Sequence, residues 1–162
     1  HRTGRTARRA LPRVRGKEIA QQMLRILAFD IGERRIGVAV SDPLGITAQG
    51  IETYTRSDDL NKDVEHLLKI ANGYRPVKLV FGMPRNMDGS YGMQAEYTKA
   101  FADEVLKGWD GDSAFWDERL TTASARRVLI EADMRRDKRK GVIDKVAAVL
   151  ILQSYLDAKG NT

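Results

Sequence analysis

The chain has 162 residues, 42% hydrophobic and 31% charged, which is typical of one soluble globular domain. No apolar run approaches the roughly 20 residues that span a bilayer, and the first residues lack the apolar core of a secretory signal. We therefore expect a cytoplasmic protein with no membrane partner. Cysteine is absent, which excludes disulfides, a thiol nucleophile and a cysteine-ligated zinc site.

The formal net charge of +6 is concentrated in the first 22 residues. This segment carries seven arginines and lysines against Glu18 alone, so residues 23–162 are formally neutral. Few large apolar side chains and no periodicity predict that residues 1–22 are a disordered basic leader or a cloning remnant. The predicted domain covers residues 23–160, and any attraction to phosphates there must come from a local basic cluster.

Three short strands are predicted first. The segments LRILAFD, IGVAVSD and Thr47–Thr55 are rich in apolar residues, and turn-forming sequences separate them. Leucine, valine and alanine then recur at helical spacing over Asp58–Gly73, where Asp58 or Asp59 can cap the helix and Gly73 can end it. Three strands in succession favour an antiparallel meander.

Helices and strands alternate in the rest of the chain. VKLVFGM is an apolar run typical of a buried strand, Tyr91–Lys107 is predicted to be helical, and SAFWDE is a fifth strand. Helices over Thr121–Asp133 and Val142–Ala158 follow, and the last is apolar nearly all round, which predicts burial between layers. The order β-β-β-α-β-α-β-α-α predicts an α/β fold with a mixed five-stranded sheet and helices on both faces.

Three acidic residues occupy unusual positions in this order. Asp30 ends the first strand, Glu118 ends the fifth, and Asp144 lies in the first turn of the apolar last helix. Ligands usually bind at strand ends of an open α/β sheet. Three neighbouring carboxylates would repel one another, and a divalent cation would relieve this; oxygen ligands favour Mg²⁺ or Mn²⁺. Two such ions about 4 Å apart would suit phosphodiester hydrolysis.

Each acid also has an ordinary structural interpretation. Asp30 could cap a turn, Glu118 could pair with a nearby arginine, and Asp144 could interact with the dipole at a helix N-terminus. Asp117 should lie on the opposite strand face from Glu118 and is expected to face solvent. The joint placement of the three acids favours the site over three independent structural roles.

Basic and polar residues near the predicted strand ends could bind phosphates. The loop Pro84–Gly92 follows the fourth strand and offers hydrogen-bond donors, but it lacks the G-K-[ST] of a P-loop. The run Arg135–Lys140 is predicted to be a mobile loop before the last helix, either binding nucleic acid or simply solvated. The candidate nucleic-acid-binding residues are Arg34, Arg35, Arg85, Asn86, Arg119, Arg135, Arg136 and Arg139.

At these residues the sequence resembles the YqgF/RuvX family, pre-16S rRNA nucleases related to Holliday-junction resolvases. DIGERRIG with VAVSD resembles the opening motif, LVFGMPRNMDGSYG the second, DERLTT the third, and IDKVAA with LILQSYL the last. The match covers roughly Leu24 to Leu156. It implies a ribonuclease-H-like nuclease acting in 5′-end maturation of small-subunit rRNA, with Asp30, Glu118 and Asp144 as catalytic metal ligands.

Three functions remain open from the sequence. The first is a metal-dependent RNA endonuclease, a monomer or weak homodimer that prefers RNA to DNA. The second is a structure-specific DNA junction nuclease, and the third is a non-catalytic module that binds RNA or a transcription complex. An actin-like ATPase would need two such domains and a much longer chain.

Overall fold

The structure is a computed structural model that describes residues 24–86, 88–120 and 136–160, except for the side chains of 120, 136–144 and 160. The predicted leader and the predicted helix Thr121–Asp133 lie outside the described residues. The described elements are β1 (Arg25–Ile31), β2 (Arg35–Ser41), β3 (Ala48–Thr55), α1 (Leu60–Gly73), β4 (Val77–Met83), α2 (Met93–Lys107), β5 (Ser113–Asp117) and α3 (Arg136–Gly160). A single 3₁₀ turn, Glu118–Leu120, follows β5 directly.

The five strands form one mixed sheet in the order β3-β2-β1-β4-β5. Strands β1, β2 and β3 are antiparallel neighbours, whereas β4 is parallel to β1 and β5 is parallel to β4. The predicted mixed five-stranded sheet is therefore confirmed. Because β1, β4 and β5 run the same way, their carboxyl ends meet at one edge of the sheet, which we call the carboxyl edge.

One face of the sheet is covered by α1 and α2. Asp59 caps α1 by accepting hydrogen bonds from the backbone amides of Asn61 and Lys62, as predicted for an acid at this position. The helices bury their apolar sides against β1 and β4, where the rings of Phe29 and Phe81 lie 5.4 Å apart. This cluster is the larger part of the core within the described residues.

Helix α3 covers the opposite face. Ala148 and Leu152 are fully buried against Ile26, Ala28 and other small or aliphatic residues of the sheet. The expectation that this helix is buried between layers stays a prediction: its side chains from Val146 to Leu156 are buried or half-buried, Lys145, Asp157 and Lys159 are exposed, and residues 121–135 lie outside the described residues. Among the described residues, no helix is long and apolar enough to cross a membrane.

The basic run before the last helix is also different from the prediction. Helix α3 begins at Arg136, so Arg136 and Arg139 lie within the helix and not in a mobile loop. Arginine and lysine are strong helix formers, and one internal glycine, Gly141, costs only about 1 kcal/mol. That cost is small, so a helix stabilised by the packing of its apolar second half also includes the charged residues at its N-terminal end.

Candidate functional site

Asp30 and Glu118 lie on the same face of the sheet at its carboxyl edge. The parallel register pairs Phe29 of β1 with Phe81 of β4, so Asp30 and Gly82 are the next residues of these two strands, and Gly82 is aligned with Trp116 in β5. Glu118 follows Trp116 by two residues, which places it on the face that Trp116 shares with Gly82 and Asp30. The two acids are therefore separated by strand β4 alone, on the side of the sheet that α3 covers.

Gly82 keeps the space between the two acids open. A Cβ atom at this position would lie 2.6 Å from Cδ1 of Ile151 and 3.5 Å from Cγ of Glu118. The side chain of Glu118 thus extends over β4, in the direction of β1. Helix α3 packs against the same glycine through Ile151, so one residue without a side chain allows both close approaches.

The third predicted acid, Asp144, lies in helix α3, and its side chain is outside the described residues. Asp30 is buried, with 9% of its surface exposed, and Glu118 is half-buried. Glu118 begins the 3₁₀ turn and does not end β5, which stops one residue earlier than predicted. The described side chains include no group of three metal-ligating residues, so the structure brings together two of the three acids.

The donor chemistry of this edge fits a hard divalent cation. Two carboxylates on one face, one of them buried, offer oxygen ligands of the kind that Mg²⁺ and Mn²⁺ prefer. Among the described residues histidine does not contribute, since the side chain of His66 lies 2.5 Å from Glu52 and stacks on Tyr54. Asp30 and Glu118 could therefore hold an oxygen-preferring metal, and a softer metal would find no thiolate or imidazole ligand among the described residues here.

Two predicted nucleic-acid-binding arginines converge on Asp117. Arg119 donates to both carboxylate oxygens of Asp117, at 2.8–3.2 Å, and Arg85 donates to one of them at 3.2 Å. The prediction that Asp117 faces solvent is wrong, because only 16% of its side chain is exposed. It does lie on the opposite strand face from Glu118, as predicted. Asp117 was missed because strand alternation assigns a face and does not reveal its neighbours.

The electrostatics of this cluster follow from its hydrogen bonds. The side-chain hydrogen bonds from Arg119 outweigh the cost of burial and hold the pKa of Asp117 below its ordinary value, with help from the charge of Arg85. The same contacts raise the pKa of Arg119. The carboxylate therefore stays ionised and keeps two guanidinium groups at the carboxyl edge.

The loop after β4 is fastened to this cluster. Arg85 donates to the carbonyl of Gly89, and a Cβ atom at Gly89 would lie 3.3 Å from Nη1 of Arg119. Gly89 also has a φ of +90°, which favours glycine. Asn86 is exposed and donates to the Ser90 hydroxyl at 3.0 Å. In this structure Asn86 closes the loop on itself.

Of the remaining predicted basic residues, some lie at the carboxyl edge and the others lie where the structure does not describe their side chains. Arg34 is exposed in the turn between β1 and β2, and Arg35 begins β2 half-buried, so both lie at the carboxyl edge. Arg135 lies outside the described residues. Arg136 and Arg139 are placed by the backbone of α3 only.

Arg56 was not singled out from the sequence, yet it supports the strand end that carries Asp30. Its guanidinium donates to the carbonyl of Gly32 at 2.9 Å, lies 4.5 Å from the ring centroid of Phe101, and forms an ion pair with Asp63 at 3.6 Å. These contacts tie the turn after β1 to both α1 and α2. An arginine just after a strand is ordinary in sequence, so only the tertiary contacts reveal its role.

Comparison with known proteins identifies the family. A family model described as RuvX, Holliday junction resolvase, matches residues 24–158. The chain belongs to the RuvX family. The family resemblance predicted from the four motifs is therefore confirmed. The predicted acids and arginines, from Asp30 to Asp144, all fall within the matched residues.

Curated relatives of this RuvX chain are about 50% identical to it over the aligned residues. A protein of Clostridium perfringens named "Putative pre-16S rRNA nuclease" is 52% identical over 134 residues, 83% of this chain and 97% of its own. Proteins of the same name from Halalkalibacterium halodurans and Clostridium tetani are 50% and 48% identical, over 83% and 85% of this chain and 96% and 99% of theirs.

The solved structure of Thermus thermophilus RuvC in complex with a Holliday junction substrate is similar in fold. It superposes with a TM-score of 0.54 and 12% sequence identity, over 86% of this chain and 97% of the other. At this identity the likeness concerns the fold alone. The predicted ribonuclease-H-like architecture of the RuvX chain is thereby confirmed.

Proposed function

We propose that this chain is a metal-dependent endonuclease that hydrolyses phosphodiester bonds in the 5′-end maturation of pre-16S rRNA. The observation that carries the proposal is the placement of Asp30 and Glu118 on one face of the carboxyl edge, with only Gly82 between them. The names of relatives about 50% identical over most of the chain support the same activity.

Asp144 completes the proposed ligand set. It stands four residues before Ala148 and seven before Ile151, which are fully buried on the face of the sheet that carries the two acids. Positions at this spacing share one side of a helix. Asp30, Glu118 and Asp144 would then hold Mg²⁺ or Mn²⁺, and we propose two ions. When bound, the metal would lower the pKa of water and stabilise the leaving oxygen.

The other residues of the edge bind and orient the substrate. Arg85 and Arg119 are held at the carboxyl edge by the carboxylate of Asp117, so they present fixed cations to a phosphodiester without having to be ordered on binding. Arg34 and Arg35 extend this basic rim towards β2. Hydrolysis forms one P–O bond from water and breaks the P–O bond to the leaving oxygen, and the cations balance the charge that gathers on the phosphate oxygens.

A DNA junction nuclease is the alternative that a finding favours, since the matching family model is described as a Holliday junction resolvase. Junction cleavage needs two strands cut together, which a stable dimer with paired sites would provide. We propose RNA as the substrate and a monomer or weak homodimer as the active form.

The test compares three substrates of matched sequence: single-stranded RNA containing the 16S 5′ leader, an RNA duplex, and a four-way DNA junction. Each is incubated with the full chain in Mg²⁺, in Mn²⁺, in Ca²⁺ and in EDTA. The proposal predicts leader RNA cleavage in Mg²⁺ or Mn²⁺, and none in EDTA or Ca²⁺, which tolerates looser coordination. Preferred cleavage of the junction would support the alternative, and undiminished cleavage in EDTA would exclude the metal mechanism.

A further inference from the structure

A groove lies on the face of the sheet opposite to Asp30 and Glu118. It has a volume of about 540 Å³ and runs between the edge strand β5 and helix α2. Its walls include Arg85, Tyr91, Glu96, Lys99, Phe115 and Asp117. Phe115 is aligned with Phe81, and the two rings lie 5.7 Å apart, so the groove continues outwards from the α1–α2 side of the core.

The aromatic rings of this groove are unusually exposed. Tyr91 is 60% exposed and Phe115 is 39% exposed. Each has a cation over its ring: the guanidinium of Arg85 lies 4.5 Å from the centroid of Tyr91, and Nζ of Lys99 lies 5.9 Å from that of Phe115. Exposed rings beside cations are the combination on which proteins stack the bases of single-stranded nucleic acids.

The charges of the groove favour a base over a phosphate. Arg85 is paired with Asp117, and Lys99 is paired with Asp103 at 3.1 Å. Glu96 adds a further negative charge to the wall. The lining is therefore close to neutral, and it offers flat apolar surface with polar groups at its margin. Such a lining suits an uncharged heterocycle, whereas phosphates would be drawn to the basic rim.

The position of the groove links it to the proposed cleavage site. Asp117, the last residue of β5, lines the groove at the carboxyl edge. The next residue is Glu118, whose side chain lies on the other face of the sheet. A strand that crosses the end of β5 would therefore pass from the two acids into the groove. The cations of Arg85 and Arg119 stand at this crossing point, on the same carboxylate.

We propose that this groove binds one unpaired nucleobase of the substrate, stacked against Tyr91 and Phe115, next to the phosphodiester that is cleaved. The inference rests on the proposed function, since it assumes that the substrate strand lies at the carboxyl edge. A base in a duplex is stacked on its neighbours and has no free face. The groove therefore selects substrates in which the nucleotide on one side of the cleaved phosphodiester is unpaired.

The test measures binding in EDTA, so that no cleavage occurs. Fluorescence anisotropy gives the affinity of the full chain for a single-stranded oligoribonucleotide, for its duplex, and for the same strand with one abasic position moved along it. Tyr91→Ala and Phe115→Ala should each weaken single-strand binding by about 5- to 150-fold, the range expected for one stacked base. Duplex binding should change little.

Two controls separate stacking from other effects. Leu44→Ala removes a more exposed apolar residue, 68% exposed in the β2–β3 turn, and should leave the affinity unchanged. Tyr91→Phe and Phe115→Tyr keep a ring and should retain the affinity of the parent chain. On the oligonucleotide whose abasic position matches the groove, the alanine variants and the parent should bind equally.

Three outcomes overturn the inference. The first is that the alanine variants bind the single strand as tightly as the parent chain does. The second is that the alanine variants lose the same affinity, relative to the parent chain, on every abasic oligonucleotide, which would indicate a phosphate contact. A dimer that the alanine variants dissociate, seen by analytical ultracentrifugation, would assign the groove to a second copy of the chain. Failure of the proposed function is separate, because it appears as cleavage that survives Asp30→Asn.

Discussion

Asp63 shows how a single carboxylate connects separate elements of this fold. It is 1% exposed, and it accepts hydrogen bonds from the Tyr54 hydroxyl at 2.7 Å and from the amide and hydroxyl of Ser57 at 2.9 Å. Burial alone would raise the pKa of Asp63, but these hydrogen bonds, together with the charge of Arg56, hold the pKa below its ordinary value. Through Arg56, the carboxylate also supports the turn after Asp30.

Asp63→Asn should therefore lower the free energy of unfolding at pH 7 by about 1.5–3 kcal/mol, the usual value of hydrogen bonds to a buried charge. The folded-state pKa lies below the ordinary value of 3.8, so the stabilisation is complete above that value and is lost as the pH falls through the folded-state pKa. Urea denaturation should show the largest difference between parent and variant near pH 7, and a smaller one near pH 3.

Asp58→Asn is the matched control, because Asp58 is an exposed acid near the same end of α1. It should change the free energy of unfolding by less than about 0.5 kcal/mol at either pH. If the free energies of unfolding of the parent and Asp63→Asn differ by the same amount at pH 7 and at pH 3, the charge of the Asp63 carboxylate does not contribute to stability.

At the scale of elements, the packing of α3 on β4 decides the shape of the candidate site. Ile151 of α3 and Glu118 of the 3₁₀ turn both approach the backbone of Gly82. Ile151 is fully buried, so it has little room to move aside. The absence of a side chain at Gly82 therefore allows α3 to pack closely on β4 and also leaves room between Asp30 and Glu118.

Gly82→Ala should destabilise the protein by about 1–3 kcal/mol, the usual cost of overpacking a core. It should also reduce cleavage at a temperature where the variant remains folded, since the added methyl group lies against Glu118. Gly73→Ala is the control: Gly73 ends α1, and a Cβ there meets nothing within 4 Å. Thermal melts and initial cleavage rates would check both, and a Gly82→Ala protein with parental stability would contradict the packing described for α3.

The basic first turns of α3 allow a second prediction at this scale. Arg136 and Arg139 lie in the helix, so alanine at both positions preserves helix propensity while it removes two charges. Each phosphate contact releases counterions. The double variant should therefore bind RNA more weakly and with a flatter salt dependence, while the cleavage rate at saturating substrate changes little. Normal affinity combined with a collapsed turnover would assign these arginines to chemistry.

The bounds of most elements could be predicted because local signals agree with the tertiary structure. The apolar run Val77–Met83 is β4 as predicted, and the Asp59 cap and Gly73 end of α1 also match. The start of α3 could not be predicted this way. Its charged first turns lack the apolar periodicity that marks a helix, and the helix that begins at Arg136 is secured by packing further along, from Ala147 onwards.

For the whole molecule, the sheet order explains why the strand-end acids could be found before the fold was known. A meander followed by two parallel strands brings the ends of β1 and β5 to one edge, so Asp30 and Glu118 approach across β4. The clustering of Arg85 and Arg119 on Asp117 could not be predicted, because it depends on a loop folding back against the edge strand. The three catalytic assignments, Asp144 included, stay predictions.

The central claim is that the carboxylates at the carboxyl edge carry out metal-dependent cleavage. The most direct measurement is the single-turnover cleavage rate of leader RNA in Mn²⁺ for the parent, Asp30→Asn, Glu118→Gln and, as a control, Asp110→Asn, whose exposed carboxylate pairs with Arg75. The two edge variants should lose more than about 100-fold, since even residues that only support metal ligands cost 10- to 100-fold. They should melt in EDTA at the parental temperature or above, because neighbouring like charges repel, and the control should cleave like the parent. Folded edge variants that cleave at the parental rate would contradict the account.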